Sequence, residues 1–157
     1  MNNHHSHHNF GHTIFVIGTL LMIFWVTVIN PVNIMPIKAL NSIEVFDASN
    51  QARKRFGAEP LNNNIQLMNA AQQKAEDIVQ KRYFAHKSPD GKEPWDYFKK
   101  VDYSYELAGE NLAITNESVD KVVDGWLNSI SHRDNLLNTK FQDTGIGIAN
   151  YGKYKNY

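Results

Sequence analysis

Glu110 and His132 bracket one continuous stretch, GENLAITNESVDKVVDGWLNSISHRDNL, which begins at Gly109. A carboxylate near its start and an imidazole near its end are groups that move protons or bind cations near neutral pH. Two readings of this stretch compete. It is ordinary helix-and-turn grammar, or it is a helix that spaces the two walls of a polar site. The chain has no H-E-x-x-H, G-x-S-x-G or glycine-rich phosphate loop to force the second reading. It has no cysteine, which excludes thiolate metal sites, disulfide frameworks and cysteine nucleophiles. Lys plus Arg and Asp plus Glu are 16 each, so there is no basic field for nucleic acid. The tight basic run Arg53-Lys54-Arg55 reads as a solvated helix face.

These groups need elements to carry them. At 157 residues, 42% hydrophobic and 20% charged, the chain fits one small globular domain and a further piece. Ser42 is expected to cap a first helix that runs to Phe56 and is stopped by Gly57. Asn62 to Asn64 offer caps for a second helix to about Arg82, with an apolar stripe of Leu67, Met68, Ala71, Ala75 and Ile78. Ser88-Pro89-Asp90-Gly91 is turn chemistry, and Pro94 suits the first position of a short helix to about Val101. A fourth helix is expected from near Ser118 to Ser129, with Val119, Val122, Val123, Trp126 and Ile130 on one face and Trp126 in the core. Ser131 and Asp134 resemble a capping box for a fifth helix. Thr144 to Ala149 alternates glycine with isoleucine, so it reads as a strand, with Tyr154 starting a return strand. Most of that second strand is missing. A lone two-stranded hairpin is marginal, so the expectation is either that the chain is a fragment or that its sheet is unusually poor.

The further piece lies at the front. Residues 1–12 form a histidine-rich tail with five histidines, read as solvated. Thr13 to Ile29 run without a charge, long enough for about 25 Å of helix at about 1.5 Å per residue. With flanking residues this approaches a hydrocarbon core of about 30 Å. The expectation is an uncleaved transmembrane anchor over residues 13–30, followed by a linker at 31–42. Lys38 and the Arg53 run give a thin positive-inside vote for a cytoplasmic C-terminus.

Behind the linker the residues resemble a known family. The carriers are N-x-x-R at Asn50 to Arg53, Pro60-Leu61, AAQQKAEDIVQKRYFAHKSPDG at Ala70 to Gly91, AGENLA at Ala108 to Ala113, WLNSISHRDNLLN at Trp126 to Asn138, and TGIGIA. In this order and spacing they resemble the bacterial branch of the CAP superfamily, whose module is also called the SCP domain. It takes its name from cysteine-rich secretory proteins, antigen 5 and plant pathogenesis-related protein one. The resemblance covers residues 43–157. It implies an α+β fold, an α-β-α sandwich with a small antiparallel sheet between helical layers. It also implies an extracellular location, which overrules the charge vote and places a membrane-anchored domain on the outer face.

The resemblance further implies a ligand-binding cleft. Its first histidine matches His86, its second matches His132, and its first acid matches Glu110. A second acid of the eukaryotic branch falls where this chain has Ser129, which removes one carboxylate. Two imidazoles and a carboxylate are a recognised zinc arrangement, so zinc or another divalent cation is the expected cofactor, with His86, His132 and Glu110 as ligands. Lipid and peptide are the other ligand classes. Glu110 is the candidate base if the domain is a cation-dependent hydrolase; without turnover it is a binding module, and with a relict cleft a structural or adhesive domain. Asn111 reads as a turn organiser, Arg133 as a solvated or structural cation, and Asn50 as a buried partner of backbone groups.

Overall fold

The computed structural model describes residues 40–150. The tail, the expected anchor, most of the linker and the return strand at Tyr154 lie outside those residues. Among the described residues no helix is long and apolar enough to cross a membrane. The elements, in order, are α1 (Ser42–Arg55), β1 (Asn62–Asn63), α2 (Ile65–Lys81), α3 (Trp95–Lys100), α4 (Val119–Asn128), α5 (Ile130–Leu136) and β2 (Asp143–Thr144). This is the expected mixture of helices with a small sheet.

Helix α1 starts one residue away from expectation. Asn41, not Ser42, caps it, and its Oδ1 accepts from the Ile43 amide at 2.9 Å. Gly57, at φ 77°, ends it in the left-handed region that glycine tolerates. The buried positions Val45, Ser49 and Ala52 recur at helical spacing. α1 packs on α4, and α4 on α5. Ala52, Val123, Leu127 and Leu136 form the core there, with Ala48, Trp126 and Leu137 against it. Ile130 is 71% exposed, so the expected face stops short of it, and the buried residues of α4 are Val122, Val123 and Leu127. The reason is Ser129, whose extended backbone (φ −104°, ψ 123°) breaks the helical phase and starts α5. Ser131 therefore lies inside α5 and caps nothing.

Arg53 departs furthest from expectation. It has no exposed surface. Its Nε donates to Glu59 O at 2.7 Å, and Nη1 donates to Leu136 O at 2.8 Å and Asn138 O at 3.0 Å. Only Lys54 and Arg55 of the basic run form a solvated face. Asn50 behaves as expected: its Nδ2 donates to Leu61 O at 2.9 Å and its Oδ1 accepts from Leu61 N at 2.8 Å.

Helix α2 is capped by Asn64, whose Oδ1 accepts from Gln66 N and Leu67 N. Its buried face is Leu67, Ala70 and Lys74, rotated from the expected stripe. Asn62 and Asn63 are a strand instead of caps, and they pair with Asp143 and Thr144 in parallel. The described sheet is thus not antiparallel. Both strands run in the same direction because the connection between them passes through four helices, not a tight turn.

Beyond Thr144 the chain lies directly on α2 instead of extending the ladder. A Cβ on Gly145 would stand 2.2 Å or less from backbone atoms of Leu67 and Met68, and one on Gly147 2.2 Å from backbone atoms of Ala71. The Gln72 side chain takes over the role of a neighbouring strand. It accepts from Ile148 N at 3.0 Å and donates to Ile148 O at 3.1 Å. Alternating glycine is therefore a condition of contact between backbone and backbone. Gly147→Ala is expected to lower stability by about 3 kcal/mol, because the clash is with backbone. Gly125→Ala, in α4 with open space around it, is expected to raise stability by up to about 1 kcal/mol. Urea unfolding of the two variants checks both signs.

Candidate functional site

The loop that carries His86 begins where α2 ends. Arg82 takes the left-handed conformation (φ 56°, ψ 49°), which turns the chain away from the helix axis. The loop is then held from α2 by three side chains on one helix face, Lys74, Asp77 and Lys81. Lys74 is buried, and its ammonium donates to Tyr83 Oη at 3.1 Å, to Ala85 O at 3.1 Å and to His86 O. Tyr83 donates in turn to Asp77 Oδ2 at 2.8 Å. Lys81 pairs with Asp77 and reaches Asp90 at 2.8 Å. Ser88, itself buried, closes the turn: its Oγ donates to Asp90 Oδ1 at 2.6 Å and accepts from Lys92 N, while Gly91 N donates to Ser88 O. Lys81, Lys92 and Ser88 hold the Asp90 carboxyl well below the usual carboxylate range.

Glu110 reaches the site on an irregular segment pinned to α4 and α5. Gly109 allows the close approach, since a Cβ there would stand 2.8 Å from Asn135 Oδ1. Asn135 Nδ2 donates to Glu110 O at 3.3 Å and to Asn111 Oδ1 at 3.2 Å. Asn111 Nδ2 donates to His132 O at 2.9 Å, so it bridges two segments and does more than organise its own turn. Trp126, half-buried against the core, donates from Nε1 to Leu112 O at 3.1 Å. The bonds to Glu110 O and Leu112 O supply partners to carbonyls that an irregular segment otherwise leaves open.

A hydrogen bond joins the two segments. His86 Nδ1 lies 2.6 Å from Glu110 Oε1, with the His86 side chain 56% exposed and the Glu110 side chain 17% exposed. Burial pushes the Glu110 carboxyl above its ordinary value, opposed by the hydrogen bond from His86 and the charge of Lys74. Burial likewise pulls the Lys74 ammonium down, opposed first by the charge of Glu110. His132 makes a separate pair, its Nδ1 2.7 Å from Ser129 Oγ.

Sequence therefore named four residues that fall into two pairs, His86 with Glu110 and His132 with Ser129, linked through Asn111 and Asn135. Glu110 binds the His86 imidazole, and Arg133 is exposed, as expected of a solvated cation. Among the described residues no group of three His, Cys, Asp or Glu side chains converges as a metal site. Two supporting residues were missed, Lys74 and Asn135. Lys74 carried a signal, because a lysine seven positions after Leu67 and four after Ala70 sits on the buried face of α2.

The sequence pattern of the CAP family, the cysteine-rich secretory protein family, matches residues 46–157. The chain belongs to this family. YkwD of Bacillus subtilis is 37% identical over 109 residues, which are 69% of this chain and 42% of that protein. The CAP domain also resembles two solved structures. One is an extracellular SCP-domain protein from Bacillus anthracis (TM-score 0.66, 32% identity, 69% of this chain and 37% of that one). The other is an outer surface protein of Borrelia burgdorferi (TM-score 0.60, 27% identity, 68% of this chain and 81% of that one). The chain spans less than half the length of the B. subtilis relative.

Because the folded CAP domain holds Glu110 above its ordinary value, it favours the protonated carboxyl. That stability is fully present below the unfolded value and is lost as pH rises through the folded one. Glu110→Gln keeps the shape without the charge. Its stability relative to the parent is expected to rise between pH 4 and pH 7 in chemical unfolding; a flat or falling difference contradicts burial as the dominant cause.

Proposed function

We propose that this CAP domain is a membrane-tethered, outward-facing binding module that holds a divalent cation through His86 and His132 without turning over a substrate. The observation that carries it is the way both imidazoles are anchored. Each uses Nδ1 for a protein oxygen, Glu110 for one and Ser129 for the other. Histidines that ligate metals commonly fix one ring nitrogen on a carboxylate or another oxygen and present the other. Among the described residues no hydrogen bond engages either Nε2. This supports a role for Glu110 in orienting His86 in place of binding the ion directly. The same role fits Ser129, where a hydroxyl suffices and a carboxylate is not required. Two imidazoles suit zinc in chemistry, and a two-residue set leaves the remaining positions to water or to a group of a peptide or lipid ligand.

Engagement of Glu110 with His86 speaks against its use as the base that activates water, which is why binding is preferred to hydrolysis. The outward placement rests on the names of the relatives, an extracellular protein and an outer surface protein, together with the charge-free run Thr13 to Ile29.

Zinc chloride titrated into the full chain by calorimetry is the test. Binding is expected in the parent, is expected to weaken by about 10- to 100-fold in Glu110→Gln, and is expected to vanish in His86→Ala/His132→Ala. Equal heat in the parent and the double variant eliminates the cation.

A further inference from the structure

We propose that Lys74 is the positioning residue of the His86–Glu110 pair, its buried ammonium gripping the carbonyls of Ala85 and His86 so that the imidazole is delivered to the carboxylate. The proposal concerns the site of the preceding section but not its occupant.

Lys74 is 4% exposed, so water cannot satisfy its three donors, and the protein must. It does so with two successive loop carbonyls and the Tyr83 hydroxyl, and the ammonium also faces the Tyr83 ring at 5.0 Å and the Tyr97 ring at 6.0 Å. Tyr97 is itself 2% exposed on α3, so the ammonium sits between α2, α3 and the loop. No carboxylate contacts it among the described residues. Its bonds go to the backbone of the very residue that carries the site imidazole. With the His86 carbonyl on the ammonium, the ring is left 56% exposed and meets Glu110 at 2.6 Å. The outer tether of the same loop, Lys81 to Asp90, is solvent-exposed on both sides, and exposed pairs of this kind hold weakly. The inner tether therefore decides where His86 stands.

The pairing has a signature that a merely stabilising lysine would not control. In the neutral imidazole, a carboxylate 2.6 Å from Nδ1 selects the tautomer with its proton on Nδ1, in which Nε2 is the acceptor. Ring 15N shifts of the labelled full chain report this tautomer whether or not any cation binds, so its failure is separable from failure of zinc binding. In the parent the Nδ1–H form is expected to dominate. Glu110→Ala is expected to abolish that preference, and Lys74→Met is expected to do the same while the chain stays folded. Adding Glu110→Ala to Lys74→Met is then expected to change nothing further. A folded Lys74→Met protein whose ring shifts move less than half as far as those of Glu110→Ala overturns the proposal. If Lys74→Met does not fold, the parent decides. A slowly exchanging Lys74 ammonium with scalar coupling to the carbonyl carbons of Ala85 and His86 upholds the proposal; a freely exchanging ammonium without coupling overturns it.

Discussion

Burial of a cation against backbone carbonyl oxygens is the interaction on which the rest of this structure depends. A charge removed from water needs close, well-aligned partners. Arg53 and Lys74 find theirs in the main chain, not in carboxylates. Carbonyls cannot rotate away as a side chain can, so each cation fixes backbone in space. Arg53 binds Leu136 and Asn138 at the end of α5, and so fixes the helix that carries His132 and Asn135. Lys74 fixes the loop that carries His86. The two halves of the candidate site are thus each placed by a charged group that lies outside it.

Helix α2 is the common support. One part of its surface grips the His86 loop through Lys74, Asp77 and Lys81. Another receives the bare backbone of Gly145 and Gly147. Its first turn reaches α3's end as well, where Gln66 Nε2 donates to Val101 O and Asp102 O. An aromatic group of Trp95, Phe98, Tyr103 and Tyr105 packs by edge and tilt beside it. A rigid helix under an irregular loop is how a small domain keeps site geometry without long strands. The exposed ring of His86 then stays accessible to a ligand, while its Nδ1 is held.

Much of this was readable from residue order. Five helices stand close to where periodicity and turn residues put them, because Asn64, Gly57 and the Ser88 turn act through local chemistry that sequence displays directly. The contact between His86 and Glu110 followed from family resemblance and not from spacing, since 24 positions of chain separate them. What sequence hid was non-local. Nothing in Arg53-Lys54-Arg55 distinguishes the buried member from its neighbours until α5 is in place. Strand direction was hidden too, because Asn62 and Asn63 read as caps and their partner lies 81 positions later. The glycines of TGIGIA signalled strand alternation, whereas their physical cause is the nearness of α2. Ser129 read as a loss of charge; its position between two helices, facing His132, needed coordinates.

Unfolding of Arg53→Met is the most direct test of the claim that carbonyl-bound cations hold this domain together. Three carbonyls would lose their donor, and the expected loss is about 3 kcal/mol or more. A change below about 0.5 kcal/mol, typical of a solvated helix face, would contradict it.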